Sequence, residues 1–413
     1  MSQVSSLFEH LANVTTFDLR IPLTVKYKLA KGEIVMEFFS GIMQITWQQI
    51  FMFAVGGILI YLAIKKQYEP ALLLPMGFGA IMVNLPLSGV ITQEIAGVGQ
   101  VNGIIEWLYE VGIEASEAMP ILLFIGIGAM IDFKPLLSKP VMMIFGISAQ
   151  FGILCAILLS LLLGFDLRDA ASIGIIGAAD GPTSILVSQF FHSKYMGAIA
   201  VAAYSYMALV PIIQPFAIKL VTTKKERQIR MNYATKEISK RALILFPILT
   251  TIVVGLIAPT SLALVGFLMF GNLIRECGVL GDMSDAAQNI LTKLITLLLG
   301  ITISFSMKAD EFVTPDTLMI MGIGLFAFVM DTIGGVLVAK IINLFRKDKI
   351  NPMIGAAGIS AFPMSARVVQ KMAQEECPGN VIIMQAVGCN VSGQIASVVA
   401  GGLVMGIVSN LLK

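Results

Sequence analysis

One acidic residue stands in a stretch of the chain that is otherwise apolar. Asp180 lies in the string Ala-Ala-Asp-Gly-Pro-Thr, with mostly apolar residues on both sides. A carboxylate at the centre of a bilayer costs at least ~2.5–3.5 kcal/mol unless it meets a cation, a proton or a water-filled cavity. Gly181 and Pro182 break the helix and free backbone carbonyls, which together with one carboxylate suit a hard monovalent cation such as Na⁺. We predict ion binding at Asp180; the alternative is a protonated Asp180 that caps the second half-helix through the Thr183 N–H.

Three hydroxyl groups lie together in the next apolar segment. Tyr204, Ser205 and Tyr206 occur near the centre of the string Ala-Val-Ala-Ala-Tyr-Ser-Tyr-Met-Ala-Leu-Val-Pro, where each hydroxyl needs a hydrogen-bond partner. The Tyr206 hydroxyl is a candidate to complete the coordination of an ion at Asp180 or to pass it a proton. Ordinary packing, with the hydroxyl on a backbone carbonyl, is the alternative and stays open.

A second group of polar residues lies towards the C-terminus. Its neutral oxygens come from an interrupted segment and from the helix that follows it: Asn351, Ser360, Asn390, Ser392, Gln394 and Ser397, with Gly355 and Pro363 inside the segment. Ser360 lies where the helix must unwind before Pro363, so an oxygen ligand is easily supplied there. Asn390 lies mid-span, roughly as Tyr206 does in the first half. For any single serine, a bond to the carbonyl four residues earlier is the alternative.

Two further charged residues lie in or near apolar segments. Arg367 has no acidic residue nearer along the chain than Glu375, so its guanidinium is predicted to bind an anion, such as a carboxylated ligand from the cytoplasm. Snorkelling to the lipid headgroups is the alternative. Asp331, in Phe-Val-Met-Asp-Thr-Ile-Gly-Gly, is either a second ion ligand or a protonated hydrogen bonder between helices, and we favour the latter.

The composition places these residues in a membrane. Of 413 residues, 57% are hydrophobic and only 13% are charged, and the mean hydropathy is +0.87. A soluble domain carries about twice that share of charge. The net charge of +2 gives no indication of nucleic-acid binding, and the four cysteines and two histidines form no familiar metal-binding spacing. The N-terminal residues have no basic, apolar and small-residue succession, so no cleaved signal peptide is predicted.

Apolar runs and their breakers predict an all-α polytopic membrane protein with about ten transmembrane helices. The predicted spans are residues 49–65, 71–83, 119–131, 141–163, 196–220, 242–258, 260–274, 285–306, 317–345 and 379–409. The positive-inside rule then places the basic loops, above all residues 224–241, in the cytoplasm. The predicted organisation is an N-terminal extension (1–45), a first transmembrane helix (46–70), a first repeat (71–220), a basic cytoplasmic loop (221–241) and a second repeat (242–413).

Two apolar segments, residues 171–191 and 351–373, are interrupted at their middle by Gly and Pro, so neither is one straight helix. If each returns to the side it came from, every basic cluster lies inside, and we therefore favour re-entrant hairpins over broken spanning helices. Both segments contain the string Gly-Ala-Ala, at 177–179 and 355–357, and they enter from opposite faces. This pattern predicts an inverted-repeat transporter architecture with the ion site between the two breaks.

The same residues resemble the beta subunit of the sodium-pumping, biotin-dependent decarboxylases that act on oxaloacetate, methylmalonyl-CoA, glutaconyl-CoA and malonate. The likeness runs through nearly the whole chain except the first 45 residues. It is clearest in four strings, GIIGAADGPTSIL (174–186), GAIAVAAYSYMALVPIIQP (197–215), TTKKERQIRM (222–231) and NPMIGAAGISAFPMSARVV (351–369).

The resemblance implies a translocase subunit of the bacterial inner membrane that decarboxylates carboxybiotin, takes up a proton and exports Na⁺. It implies that carboxybiotin is presented by a biotin carrier protein, and that the other partners are a carboxyltransferase (alpha) subunit and a small membrane gamma or delta subunit, around a homo-oligomeric core. By motif match, Na⁺-binding roles fall on Asp180, Tyr206, Asn351, Gly355, Ser360 and Asn390. Catalytic roles fall on Ser360, Tyr206 and Arg367, and Arg367 is implied to engage the carboxybiotin.

Two other functions fit the sequence pattern. Inverted repeats with broken helices also serve stand-alone secondary transporters, such as sodium–organic anion symporters and Na⁺/H⁺ antiporters. A membrane scaffold with no transport role is the third possibility, and the buried Asp180 argues against it. The sequence does not indicate which acyl substrate a complex containing this chain would decarboxylate.

Overall fold

The computed structural model describes residues 40–67, 69–95, 99–115, 118–231 and 237–413. Most of the predicted N-terminal extension lies outside these residues. Two compact units are distinguished, a small one to which residues 40–47 and 85–87 belong and a main one with the other described residues. All the sites below lie in the main unit.

Nearly all regular structure in the described residues is helical, and the one sheet is a two-stranded antiparallel ribbon of β1 (Gln93–Ile95) and β2 (Gly99–Val101). The helices of the first half are α1 Ser40–Met43, α2 Trp47–Lys65, α3 Pro70–Val83, α4 Ile104–Tyr109, α5 Ala118–Met130, α6 Lys134–Ser138, α7 Met142–Ser148, α8 Phe151–Leu162, α9 Leu167–Gly174, α10 Gly181–Phe190 and α11 Met196–Val221. Those of the second half are α12 Lys224–Arg227, α13 Lys240–Ile257, α14 Leu262–Cys277, α15 Gly281–Ala286, α16 Thr292–Ile303, α17 Ala309–Phe312, α18 Pro315–Phe345, α19 Met353–Ala356, α20 Met364–Glu376 and α21 Ile383–Leu411. Short π or 3₁₀ turns extend α4, α9, α15 and α16 and precede α14.

Seven helical stretches in the described residues are long and apolar enough to cross a membrane. They are Trp47–Lys66, Met142–Leu162, Lys240–Ile257, Pro259–Cys277, Gly281–Met307, Pro315–Phe345 and Ile383–Leu411. Two bent helix pairs raise the number to nine if each is one span, and Pro70–Val83 is a shorter apolar helix. The prediction of an all-α polytopic membrane protein is confirmed, whereas the number ten and the inverted repeat stay predictions.

Helix α11 bends by 72° between Met207 and Leu209. Pro211 explains the position of the bend, because a proline lacks an N–H to donate and its ring clashes with the carbonyl four residues earlier, here that of Met207. The bend therefore directly follows the Tyr204–Tyr206 stretch.

The first interrupted segment consists of α9, the 3₁₀ turn Ile175–Ala178 and α10. The helix stops at Ala179, which is left-handed with φ 53°, and Asp180 is extended with φ −128°. Helix α10 then begins at Gly181 with Pro182 in its first turn, where the missing N–H of a proline costs nothing. The two arms contact each other, and Ser184 Oγ lies 3.5 Å from the Ile175 carbonyl oxygen.

The second interrupted segment consists of the single-turn helix α19, an irregular stretch and α20. Gln214 of α11 joins its two arms, because its Nε2 donates to the Ala356 carbonyl at 2.7 Å and to Ser365 Oγ at 2.6 Å. The packed arms of both segments fit the predicted hairpins, although re-entry into the membrane stays a prediction.

The basic loop is attached to this second segment by several polar contacts. Arg227 Nε donates to Glu376 Oε1 at 2.7 Å, and Lys340 Nζ lies 3.1 Å from Glu226 Oε1. Burial would raise the pKa of Glu226, but hydrogen bonds from Thr223 and the contact with Lys340 lower it below its ordinary value. The loop is thus anchored at the end of α18 and beside α20.

Candidate functional site

Asp180 lies at the break of the first segment with only 3% of its surface exposed. Its Oδ1 accepts the Thr183 backbone N–H at 3.4 Å, so it caps α10 as the sequence allows. Its Oδ2 accepts the Thr183 hydroxyl at 2.9 Å and the Ser397 hydroxyl at 2.8 Å. Gln394 Nε2 lies 3.4 Å from the same oxygen. Oδ1 therefore caps the N-terminus of α10, and Oδ2 faces the polar side chains of Gln394 and Ser397 on α21.

Ser360 of the second segment reaches the same carboxylate. Its Oγ lies 3.5 Å from Asp180 Oδ2 and only 2.6 Å from Ser397 Oγ. If Ser397 donates to Asp180, Ser360 must donate to Ser397, because each hydroxyl carries one proton. The result is a hydrogen-bonded chain from Ser360 through Ser397 to Asp180.

The main chains of the two segments also meet at this point. The Ser360 N–H donates to the Ala178 carbonyl at 3.2 Å, so the residue before the left-handed Ala179 is bonded to the second segment. Asn390 Nδ2 donates to the Ile359 carbonyl at 2.7 Å, while Asn390 Oδ1 is buried with no hydrogen-bond partner among the described residues. Ser360 therefore lies beside Asp180, and Asn390 is bonded to the residue before Ser360, whereas an ion-binding role for the three residues stays a prediction.

The structure does not bring Tyr206 to Asp180. Its hydroxyl donates to the carbonyl of Met321 on α18, and its ring packs against Gly324. The Tyr206 hydroxyl is thus bonded to a backbone carbonyl, which is the alternative given above for this residue. The bond forms because α18, rather than the first break, faces that side of α11. The Na⁺-binding and catalytic roles of Tyr206 have no contact to Asp180 that supports them here.

Asn351 and Gly355 lie in the second segment but have other contacts. Asn351 Nδ2 donates to the carbonyls of Arg227 at 2.8 Å and Ile229 at 2.9 Å, which ties the start of the segment to the basic loop. A Cβ on Gly355 would come within 2.0 Å of the Gly335 carbonyl oxygen of α18, so glycine is needed for this close approach. Neither residue has a hydrogen bond to Asp180 among the described residues, because Asn351 faces the basic loop and Gly355 faces α18.

Arg367 lies in the first turn of α20 with an exposed side chain. No hydrogen bond or ion pair to its guanidinium is found within the described part of the chain. An exposed Arg without an internal partner remains available to an external anion.

Asp331 lies on α18 and is fully buried. Its Oδ1 accepts the backbone N–H of Gly152 at the start of α8, whereas its Oδ2 has no hydrogen-bond partner among the described residues. A Cβ on Gly177 would lie 3.1 Å from Oδ2, so the first segment packs directly on this carboxyl. A hydrogen bond between helices is thus present at Asp331, whereas the protonated state stays a prediction.

The chain is similar to known proteins over most of its length. A family model described as the Na⁺-transporting oxaloacetate decarboxylase beta subunit matches residues 48–408. The chain belongs to this family.

Individual members of the family are similar over nearly their whole length. The chain is 44% identical to the glutaconyl-CoA decarboxylase subunit beta of Acidaminococcus fermentans, over 89% of this chain and 96% of the relative. It is 42% identical to the methylmalonyl-CoA decarboxylase subunit beta of Propionigenium modestum, over 90% and 98%. It is 40% identical to the oxaloacetate decarboxylase beta chain of Klebsiella pneumoniae, over 88% and 96%. The resemblance, the enzyme class and the multi-pass membrane location predicted from sequence are confirmed.

The Asp180 cluster comprises Asp180 and the side chains within 3.5 Å of its carboxylate, which are Thr183, Ser360, Gln394 and Ser397. Three of them, Thr183, Gln394 and Ser397, are absent from the site residues predicted from sequence. The sequence singles out Thr183 only for its backbone N–H, and Gln394 and Ser397 only as neutral oxygens of the second polar group. Asn390, Gln394 and Ser397 follow the spacing i, i+4, i+7, which places them on one face of a helix. That spacing was the signal in the sequence that could have identified them.

Proposed function

We propose that the chain decarboxylates carboxybiotin presented by a partner carrier, consumes a proton in doing so, and couples the reaction to the export of Na⁺. The observation that carries this proposal is the Asp180 carboxylate, buried where both interrupted segments and α21 meet. Family membership favours this function over a stand-alone sodium-coupled transporter, since the named relatives are decarboxylase subunits.

Na⁺ is the cargo, and we assign its binding to the Asp180 carboxylate and to neutral oxygens of the second segment and α21. Asp180 supplies the charge, the Ser360 hydroxyl supplies a neutral oxygen, and Asn390 Oδ1 is a buried acceptor without a protein partner among the described residues. A buried acceptor of this kind is costly unless a cation or a proton donor meets it. In this proposal one carboxylate alternates between Na⁺ and a proton, which keeps the membrane interior close to neutral in both states.

The chain from Ser360 through Ser397 offers a route for the proton. Because the hydroxyls are already hydrogen-bonded in series to Asp180, a proton can shift along them without any side chain leaving its position. Ser360 thus keeps its proposed role in both ion binding and proton exchange.

Arg367 is proposed to bind the carboxylate of carboxybiotin. Its guanidinium is exposed and has no internal partner in the described residues, and it follows the second break on the same segment as Ser360. Loss of CO₂ from carboxybiotin leaves the biotin ring nitrogen with the electron pair of the broken C–N bond, and the consumed proton is added there. Exclusion of water around the anionic reactant would favour this loss.

Asn351 and Gly355 are proposed as positioning residues rather than ion ligands. They hold the second segment against the basic loop and against α18, and so fix the place of Ser360 relative to Asp180. The proposed partners are the carboxyltransferase subunit, the biotin carrier protein and a small membrane subunit. The acyl substrate would be chosen by the carboxyltransferase, which agrees with the different substrates named for the relatives.

The test uses the complete complex reconstituted in liposomes. Asp180→Asn should abolish both Na⁺-dependent decarboxylation and ²²Na⁺ uptake, while the matched control Asp310→Asn, at an exposed position, should retain them. An Asp180→Asn complex with full coupled activity would overturn the proposed function.

A further inference from the structure

Tyr204 carries a buried hydroxyl that the proposed function does not use. The side chain is 2% exposed, and its hydroxyl has no hydrogen-bond partner among the described residues. Burying a hydroxyl without a partner costs free energy, so such a group is rarely kept without a use. It is the only tyrosine hydroxyl in the described residues that is buried and unpaired.

The Tyr204 ring lies directly on the start of α10. A Cβ on Gly181 would come within 2.2 Å of ring atom Cε1 and 2.3 Å of Cζ, the atom that carries the hydroxyl. Gly181 is the residue next to Asp180, so the tyrosine ring lies beside the break that carries the carboxylate. Only glycine at 181 allows the aromatic ring to lie so close to the backbone at the start of α10.

Tyr206 cannot share this position. Two residues along a helix turn a side chain by about 200°, so Tyr204 and Tyr206 leave α11 on opposite sides. Tyr206 points to α18 and bonds the Met321 carbonyl, which leaves Tyr204 as the tyrosine on the side of the first break.

Two unpaired oxygens beside the junction of the interrupted segments favour a cation over a proton. Asn390 Oδ1 and the Tyr204 hydroxyl are both buried oxygens with free lone pairs, one contributed by α21 and one by α11. A proton on Asp180 can be donated to a single acceptor, whereas Na⁺ accepts lone pairs from several oxygens at once. We propose that Tyr204 is a neutral oxygen ligand of the Na⁺ carried at Asp180. This inference rests on the function proposed above.

The test compares Tyr204→Phe with Tyr109→Phe in the complete reconstituted complex. Tyr109 is the control, because it is also buried and its hydroxyl contacts Met196 Sδ at 3.7 Å. We expect Tyr204→Phe to raise the half-saturating Na⁺ concentration about tenfold, the effect of losing one ligand interaction of ordinary strength. Tyr109→Phe should leave that concentration unchanged.

A second readout does not depend on turnover. Na⁺ should raise the Tm of the wild-type complex above its value in K⁺, and Tyr204→Phe should reduce that rise. In K⁺ alone the Tm of Tyr204→Phe should not fall, because the substitution removes a hydroxyl that has no protein partner. A purely structural role would give the reverse, a lower Tm in K⁺ with an unchanged Na⁺ response, and would overturn the inference.

Asp180→Asn, measured in parallel, separates the two proposals. If Asp180→Asn loses Na⁺ dependence and Tyr204→Phe behaves as wild type, the ligand role of Tyr204 is wrong and the proposed function stands. If Asp180→Asn remains coupled, the proposed function itself fails. Should Tyr204→Phe not fold, Gly181→Ala decides, because its Cβ would displace the ring; an unchanged half-saturating Na⁺ concentration would then overturn the inference.

Discussion

Ser397 Oγ lies 2.8 Å from Asp180 Oδ2 and 2.6 Å from Ser360 Oγ. A hydroxyl of the last helix thus connects the carboxylate of the first interrupted segment to the serine of the second. Ser397 and Asp180 are 217 positions apart in the chain, so their contact exists only in the folded protein.

Removal of this hydroxyl should weaken Na⁺ binding. A hydrogen bond to a charged group contributes about 1.5–3 kcal/mol, so Ser397→Ala should raise the half-saturating Na⁺ concentration about tenfold or more. Na⁺ titration of decarboxylation measures the effect. Ser392→Ala on the same helix is the control, because its Oγ bonds the Met142 carbonyl instead, and an equal shift in both variants would refute a specific role for Ser397.

Close packing of α18 against the second segment should depend on Gly335. A Cβ there would come within 2.1 Å of the Gly355 carbonyl oxygen, so Gly335→Ala should destabilise the protein by about 1–3 kcal/mol or more. Thermal unfolding of the purified protein measures this. On the same helix, a Cβ on Gly322 would meet no atom within 4 Å, so Gly322→Ala should be neutral. Equal Tm values for the two variants would contradict the packing argument.

Gln214 should hold the two arms of the second segment together. Gln214→Ala removes the amide that donates to the buried Ala356 carbonyl and to Ser365 Oγ. It should therefore lower the free energy of unfolding by about 1–3 kcal/mol. Gln288→Ala, which removes only a bond to Ser284 within one helical turn, should have a smaller effect on Tm. A Gln214 variant as stable as the wild type would show that the arms are held by other contacts.

Arg367 should affect the carrier and leave Na⁺ affinity unchanged. Arg367→Ala removes an exposed cation, so the concentration of carboxylated carrier needed for half-maximal decarboxylation should rise about tenfold, while the half-saturating Na⁺ concentration should stay constant. Lys371→Ala, one turn further along α20 and also exposed, is the control. A shift in the Na⁺ titration would instead place Arg367 in the ion site.

Asp331 should tolerate an amide. Asparagine keeps an oxygen for the Gly152 N–H, so Asp331→Asn should retain the Tm and the Na⁺ response if the acid is neutral in the protein. Asp331→Leu removes the acceptor and should lower Tm by unpairing a buried N–H. Loss of Na⁺-coupled turnover in the Asn variant would indicate that this carboxyl also takes part in transport.

The break at Asp180 was predictable because its causes are local. Gly181 and Pro182 act on the adjacent backbone, and hydropathy depends only on neighbouring residues. Which of Tyr204 and Tyr206 lies beside the first break was not predictable, since that depends on which helices pack against each side of α11. The bond from Ser360 N–H to the Ala178 carbonyl was equally inaccessible, because it joins residues that only tertiary packing brings together.

That same backbone bond bears on how the protein moves in the proposed function. There Asp180 opens to one side of the membrane at a time, and the bond joins the two interrupted segments two residues before the carboxylate. If the bond is kept during transport, we expect the two segments to pivot about this point, so that one side closes as the other opens. Such a pivot would keep Na⁺ from leaking through a passage open at both ends.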